Sequence, residues 1–228
     1  MTVTLYELAG NDPDKKFSPH CWKSRLAIEH KKITCESQSV RFTEKDKIEF
    51  SGQPLLPVFV DGDNTVTDSW QVASYLEDNF PDSPSLFNDA AGKALAESIN
   101  HWCDTDLAKH IRPIILMDIY GLIAEKDRVY FRESREGKIG MTLEEFSAKA
   151  DAAIQGLRSE LEKIREIISM QPYIGGQSPS YADICLLGTF MWIACVNKVE
   201  FLDKQDSVYD WYQRMLEQYP VAKKAANA

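Results

Sequence analysis

The sequence predicts an α/β domain followed by an all-helical domain. Before about residue 68, short segments alternate apolar and polar side chains, which is the pattern of half-buried β-strands. Beyond residue 88, apolar side chains recur at helical spacing, and Pro81 and Pro84 mark a linker between the two patterns. We therefore predict a first domain over residues 1–80, a linker over residues 81–87 and a helical domain over residues 88–228.

Composition narrows the class of protein. The chain has 228 residues, 44% of them hydrophobic, and a net charge of −9, which argues against a nucleic acid or an anionic membrane as its main partner. No apolar run approaches the roughly 20 residues of a membrane-spanning helix, and the N-terminus lacks the pattern of a signal peptide. The five cysteines are scattered, as in proteins with buried, reduced thiols, and the four histidines have no metal-ligand spacing. We expect a cytoplasmic protein without a metal.

The first strand and helix are predicted by local signals. Residues 2–6 alternate β-branched and aromatic side chains with apolar ones, as a strand does. Ser18 is a good helix N-cap, and Pro19 suits the first helical turn. Cys21, Trp22 and Leu26 then give an apolar face at helical spacing.

The rest of the first domain follows in short elements. We predict strands at residues 33–40, 58–60 and 65–67, the last two joined by a hairpin turn around Gly62. Residues 43–50 are polar and compatible with one short helix, and Asp68-Ser69 caps a helix over residues 70–79. The order β-α-β-α-β-β-α is that of a thioredoxin-like domain.

The second half is predicted to be helical throughout. We expect a long helix over residues 90–109, a following helix interrupted by Pro113, and a long helix that begins with a capping box at residues 142–145 and runs towards Met170. A second capping box at residues 180–183 precedes an apolar run over residues 184–196. A last helix spans residues 206–219, and the tail over residues 223–228 is expected to fray.

The stretch Ser18-Pro19-His20-Cys21 carries the first chemical signal. Free N–H groups and the positive end of the helix dipole lie at a helix start, where they stabilise a thiolate. Redox proteins often have Cys-x-x-Cys there, and this chain has a hydroxyl in place of the attacking thiol. A serine without a base is a poor nucleophile, so we expect Ser18 to donate a hydrogen bond to the thiolate of another molecule. The alternative is that Ser18 only caps the helix.

A second signal comes from Leu56-Pro57 and Asp68-Ser69. A proline entering an interior strand is unusual, and a cis Leu56-Pro57 bond would turn the Leu56 backbone outward to pair with an extended peptide. The Asp68 carboxylate and the Ser69 hydroxyl and N–H can hold amino and carboxylate groups, although both residues are also ordinary helix caps. Together with Ser18, these groups suit a small peptide with a thiol and an α-amino acid end. Glutathione has that chemistry.

With these motifs the sequence resembles the glutathione transferase superfamily over the whole chain. It is most similar to the bacterial glutathione-dependent β-etherases and the fungal etherase-like class, on residues 18–23, 68–70, 130–136 and 140–144. The resemblance implies the glutathione transferase fold, conjugation of glutathione as co-substrate with a serine assisting the thiolate, and a homodimer. Some members of this family cleave aryl ethers, and others bind plant phenolics.

One departure from the family affects the binding site. Many relatives have Lys or Arg two residues before the cis-proline, and this chain has Leu55. Gln53 and Arg41 are our candidates for the contact to the glycyl carboxylate of glutathione.

Several alternatives stay open at this stage. The chain is an enzyme that conjugates glutathione to aromatic electrophiles or displaces aryl ethers, a carrier of phenolic ligands, or a glutathione-dependent reductase that uses Cys21. Tyr120 and its neighbours are the candidates for the substrate pocket. Arg25 extends its stem along the protein or pairs with Asp104 or Asp106.

Overall fold

The computed structural model describes residues 3–228, and Thr2 of the predicted first strand lies outside them. A mixed four-stranded sheet has the order β2-β1-β3-β4. Its strands are β1 (Val3–Leu8), β2 (Cys35–Val40), β3 (Val58–Asp61) and β4 (Asn64–Thr67). β1 pairs in parallel with β2, from Val3 opposite Cys35 to Leu8 opposite Val40, and antiparallel with β3. With helices α1 (Pro19–His30) and α2 (Ser69–Asn79), this sheet confirms the predicted thioredoxin-like domain.

Two short elements complete the first part of the chain. A 3₁₀ helix over Lys45–Ser51 follows β2, close to the predicted short helix. The β3–β4 hairpin turns at Gly62, whose φ of 57° suits a residue without a Cβ. Residues 80–89 form neither helix nor strand, and our proposed linker, residues 81–87, lies in this segment.

All regular elements beyond residue 89 are helical, as predicted. They are α3 (Ala90–Trp102), α4 (Ala108–Leu122), α5 (Glu125–Ile139), α6 (Leu143–Ser147), α7 (Ala150–Glu160), α8 (Glu162–Met170), α9 (Tyr181–Ala194), α10 (Ser207–Gln218) and α11 (Pro220–Ala226). Within residues 3–228, no helix is long and apolar enough to cross a bilayer.

The two long helices of the prediction are divided in the structure. A π-helical segment, Cys103–Leu107, separates α3 from α4, and Pro113 lies inside α4 without ending it. The predicted helix from the first capping box is three helices, with breaks at Ala148 and Leu161. Ala148 and Leu161 keep nearly helical dihedrals, and Lys149, also in the first break, departs from them only to φ −90° and ψ 4°, so the breaks leave the apolar period of the sequence almost unchanged. The pattern therefore could not reveal them.

The C-terminal tail is more ordered than predicted. Residues Pro220–Ala226 form α11, and Ala222 is fully buried. The preceding Tyr219 hydroxyl lies 2.8 Å from His30 Nδ1, which ties the tail to α1. The prediction of a frayed tail was wrong for residues 223–226, which belong to α11, because the contact that orders this helix comes from the other end of the chain.

The two halves pack through α1 and α9. Gly188 of α9 lies so close to α1 that an added Cβ would be 2.9 Å from Lys23 Cγ. Lys23 is fully buried, and its Nζ donates to Asp104 Oδ1 at 2.6 Å and to Asn100 Oδ1 at 2.8 Å. This partly buried ion pair joins the start of α1 to the π-helical segment.

Arg25 does not pair with Asp104 or Asp106, which was one of the two alternatives that the sequence left open. Its guanidinium pairs with the buried Glu7 of β1 and donates to Ser37 Oγ of β2 at 2.9 Å. Asp104 instead accepts a hydrogen bond from Lys23, whose side chain lies on the face of α1 that packs against the helical domain. Sequence spacing could not decide which face of α1 meets which domain.

Candidate functional site

Ser18 lies where the segment after β1 enters α1. It is the N-cap, 7% exposed, with φ −63° and ψ 125°, and its Oγ accepts from Cys21 N at 3.4 Å. Because the oxygen accepts this bond, the hydroxyl proton is not used by it. Its side-chain neighbour in residues 3–228 is the protonated Cys21 thiol, a weak acceptor whose pKa is raised by burial and lowered by Ser18. Ser18 can therefore donate to a group placed at the helix N-terminus.

A cavity of about 510 Å³ opens beside Ser18. Its apolar wall combines side chains from the segment before α1, the residue pair after β2, and helices α4, α5 and α9: Phe17, Phe42, Leu116, Ile119, Phe131 and Trp192. Phe42 and Phe131 pack edge to face, with ring centroids 5.3 Å apart. The cavity therefore offers a flat aromatic molecule apolar surface next to a hydroxyl donor.

Tyr120 does not line this cavity. Its ring lies beneath the guanidinium groups of Arg128 and Arg132, at 5.6 and 4.7 Å from the ring centroid. Its helical neighbours Leu116 and Ile119 do line it. Consecutive residues of an α-helix point about 100° apart around its axis. The sequence could therefore indicate the segment of α4 beside the cavity, but not which of its residues line the cavity.

The Leu56-Pro57 peptide bond is cis. Within residues 3–228, the Leu56 backbone makes no hydrogen bond, so its N–H and C=O are available to a ligand. Asp68 caps α2 with φ 72°, and its Oδ1 accepts from Trp70 N at 2.8 Å and from Gln71 N at 3.2 Å. Asp68 is exposed, and its second carboxylate oxygen has no partner in the described part of the chain. Next to it, the Ser69 carbonyl accepts from the Tyr181 hydroxyl at 2.8 Å, which anchors the start of α2 to α9.

His20 links the Ser18 and Asp68 regions electrostatically. Burial and the nearby Lys23 ammonium lower the pKa of His20, and the Asp104 and Asp68 carboxylates oppose this shift. His20 also lines the cavity beside Ser18. The Asp68 carboxylate therefore acts electrostatically on a residue of the cavity wall.

The two candidates for the glycyl carboxylate are engaged by other groups. Arg41 donates to Glu44 Oε1 at 3.1 Å and to the Asn11 carbonyl at 3.0 Å. The Gln53 amide bonds both the N–H and the C=O of Leu55, at 2.6 Å each.

Lys45 is a cation at this place that the sequence argument missed. It lines a shallow depression with Gln53, and its Nζ donates to the Pro54 carbonyl at 2.5 Å. In the sequence, the only indication of this role was that a lysine begins a short predicted helix, and that the chain continues from this helix to the Leu56-Pro57 turn.

The comparison with known families decides the identity of this fold. Residues 94–219 match the family described as glutathione S-transferase, C-terminal domain, and residues 13–84 match glutathione S-transferase, N-terminal domain. The chain belongs to the glutathione S-transferase family.

Individual glutathione S-transferases are similar to parts of this chain. Glutathione S-transferase 1 of Dianthus caryophyllus is 30% identical over 110 residues, which cover 46% of this chain and 48% of the relative. The glutathione S-transferase-like protein ustS of Aspergillus flavus is 24% identical over 136 residues, covering 55% and 49%. The chain thus spans about half the length of the curated relatives it matches.

Solved glutathione S-transferases share the fold over nearly the whole chain. The crystal structure of glutathione transferase GSTFuA3 from Phanerochaete chrysosporium has a TM-score of 0.84 at 22% identity and covers 97% of both chains. CsGST63524 of Ceriporiopsis subvermispora, solved in complex with glutathione, has a TM-score of 0.81 at 23% identity and covers 96% of this chain and 97% of the other. At these identities the likeness concerns the fold, and the etherase-like subclass stays a prediction.

In this glutathione S-transferase the thiol of Cys21 is deeply buried. Its Sγ lies 3.5 Å from Leu8 N, which donates to it, and burial raises the pKa of Cys21 to about 12. The negative charge of Glu7 shifts the pKa in the same direction. At neutral pH the thiol is therefore protonated and shielded from solvent.

Proposed function

We propose that this protein is a glutathione transferase that stabilises the thiolate of glutathione with Ser18 and transfers it to aromatic electrophiles, including aryl ethers, in detoxification or aromatic catabolism. The observation that carries the proposal is the Ser18 hydroxyl, which has a free proton at a helix N-terminus and faces an aromatic-walled cavity. Membership of the glutathione S-transferase family supports the choice of thiol.

The proposed reaction needs a thiolate and a held electrophile. The Ser18 hydroxyl donates to the thiolate, and the His20 N–H in the first turn of α1, together with the helix dipole, adds positive potential, since Pro19 has no N–H and the Cys21 N–H is bonded to Ser18 Oγ. The sulfur forms a bond to the electrophilic carbon, the bond to the leaving group breaks, and the leaving group departs with the electron pair. The thiol proton passes to solvent. The apolar wall holds the ring within reach of the sulfur.

The cavity also suits the second function considered, carriage of phenolic ligands. Mass spectrometry of products from glutathione and a panel of aryl ethers and activated aryl halides separates the two. A glutathione conjugate formed faster than in the absence of protein supports the transferase. Tight binding of the aromatic compounds without a conjugate supports the carrier. A reductase that uses Cys21 is disfavoured by the burial of that thiol.

Replacing Asp68 with alanine is expected to weaken glutathione binding by about 1–3 kcal/mol, the range for loss of a charged hydrogen-bond partner. In our proposal the free oxygen of Asp68 and the start of α2 at Ser69 hold the amino acid end of glutathione, while the Leu56 backbone pairs with its peptide. Lys45 and Gln53 receive the glycyl carboxylate, and Arg41 neutralises the neighbouring Glu44. Isothermal titration calorimetry with glutathione measures the change.

The matched control is Asp63→Ala, which removes an exposed carboxylate from the β3–β4 turn. It is expected to leave the affinity unchanged. Thermal unfolding of both variants separates the loss of a helix cap, about 1 kcal/mol, from the loss of ligand contacts. Unchanged affinity of the Asp68→Ala protein would leave Asp68 as a cap only.

We also propose a cytoplasmic homodimer. Cytoplasmic location fits the five free cysteines. The dimer is inferred from the family. Its expected interface is formed by the start of α2, the third helical segment of the chain, and by α3, which begins at Ala90. Sedimentation equilibrium at micromolar concentration is expected to give twice the chain mass of 25.9 kDa, and a monomer there would contradict the dimer.

A further inference from the structure

The wall of the cavity beside Ser18 is cationic. Arg112, Arg135 and Lys138 line it, and no aspartate or glutamate does. None of the three forms an ion pair with a carboxylate within residues 3–228. The chain as a whole has 35 acidic and 26 basic residues, so this wall has the opposite sign to the protein. A cationic and aromatic cavity favours a ligand with an anionic group.

Arg135 is the cation most closely integrated into the wall. Its guanidinium lies over the rings of Phe42 and Phe131, at 5.0 and 4.6 Å from their centroids. Its one side-chain hydrogen bond in the described residues goes to Ser134 Oγ at 2.8 Å. Burial lowers the pKa of Arg135, and the group that opposes this shift is the Tyr130 side chain, which is not a carboxylate. An arginine stays charged in proteins, so this cation lacks a counter-charge.

Arg132, one turn earlier on α5, is an arginine of the same helix that does have carboxylate partners. It bonds Glu136 at 2.8 Å and Glu144 at 2.7 Å. Because Arg135 is half-buried against apolar rings and has no carboxylate partner in the described residues, a partner that arrives with the ligand would complete its contacts.

We propose that the aromatic electrophile taken by this cavity carries an acidic group, a carboxylate or sulfonate, which Arg135 binds with help from Arg112 and Lys138. This inference rests on the proposed transferase function. Arg135 presents a fork of N–H donors that matches a carboxylate in two-point contact, and Phe42 and Phe131 receive the ring. The reacting carbon then lies towards Ser18, which lines the same cavity.

Two electrophiles that react at the same ring carbon and differ only in the acidic group test the inference. They are para-chloro-meta-nitrobenzoate and its methyl ester. In each reaction the glutathione sulfur bonds to the ring carbon, the C–Cl bond breaks, chloride leaves with the electron pair, and the thiol proton goes to solvent. Dividing kcat/KM by the uncatalysed rate constant with glutathione removes the difference in intrinsic reactivity. The wild-type protein is expected to favour the carboxylate about tenfold, as one charged hydrogen-bonded contact does.

Arg135→Gln is expected to remove most of this preference and to change the ester less than about twofold, since the ester makes no charged contact. Lys126→Gln is the control, because Lys126 lies on the same helix, outside the cavity, and pairs with Glu44 at 3.1 Å. It removes the same charge and should keep the preference. If the Arg135→Gln change raises KM for glutathione as much as KM for the benzoate, Arg135 serves glutathione and the inference fails.

Binding of unreactive analogues separates this inference from the proposed function. Calorimetry with meta-nitrobenzoate and its methyl ester, which have no leaving group, is expected to show tighter binding of the acid, weakened by salt and by Arg135→Gln. A preference for the acid without any conjugate would keep the anion site and overturn the transferase function. Conjugation of acid and ester at equal normalised rates, with equal affinities of the analogues, would keep the function and overturn the anion site.

Discussion

Replacement of Ser18 with alanine is expected to raise the pKa of bound glutathione and to slow conjugation at neutral pH by about 10–100-fold, the equivalent of one hydrogen bond to a charged group. The Ser18 hydroxyl has a free proton and stabilises only the thiolate form, so its loss moves the thiol pKa up, towards the ordinary value near 8.5. The rate loss should shrink above that pH, where the thiolate forms without help. The pH dependence of kcat/KM for glutathione measures both effects.

Two variants of the same stretch control for this result. Cys21→Ser should leave conjugation nearly intact, because the buried Cys21 thiol has a pKa of about 12 and no access to the cavity. Ser18→Cys restores the Cys-x-x-Cys spacing and should shift the protein towards a mixed disulfide with glutathione, visible as an adduct by mass spectrometry. A Ser18→Ala protein with the wild-type pH profile would reduce Ser18 to a helix cap.

Asp183→Ala is expected to destabilise the protein by more than about 4 kcal/mol, because it leaves four buried donors without an acceptor. The fully buried carboxylate of Asp183 accepts from four N–H groups at 2.7–3.0 Å, namely Ile174 N, Gly175 N, Ser180 N and Trp211 Nε1, and also from Ser180 Oγ at 3.3 Å. It therefore joins the loop before α9, the start of α9 and α10. Urea unfolding gives the free energy from the midpoint and slope.

Ser180→Ala is the matched control within the same capping box. Ser180 Oγ accepts one backbone bond, from Ala182 N at 3.2 Å, and donates to Asp183 Oδ2 at 3.3 Å, while the four N–H donors to Asp183 remain in the variant, so its loss should cost about 1 kcal/mol, as for an ordinary N-cap. Glutathione affinity of the folded protein should stay the same, since neither residue lines the cavity. Equal losses of stability in the two variants would contradict the role assigned to Asp183.

The features that could be predicted from sequence are those set by neighbours in the chain. Ser18, Asp68 and Ser180 were identified as helix caps because a cap is defined by the next three residues. The hairpin at Gly62 depends on a few adjacent residues in the same way. Each of these signals is local, so the order of elements and the strand-to-helix position of Ser18 followed from them.

The features that could not be predicted are set by contacts between distant segments. Arg25 meets Glu7 and Lys23 meets Asp104 according to which face of α1 each domain covers. Arg135 occurs in a stretch where acidic and basic residues alternate, a pattern typical of a solvated helix face, whereas its position over Phe42 and Phe131 depends on how α5 packs beside the residues that follow β2. The one signal in the sequence was that Phe131 and Arg135 are four residues apart, which places them side by side on one face of a helix.

Ultraviolet titration of the thiolate of bound glutathione, without any electrophile, tests most directly whether Ser18 activates the thiol. The wild-type protein and the Cys21→Ser variant should show the same thiol pKa, below that of free glutathione, and Ser18→Ala should raise it by about 1–2 units. A pKa that stays low in Ser18→Ala but returns to the free value in Cys21→Ser would contradict the assignment of Ser18 and favour chemistry at Cys21.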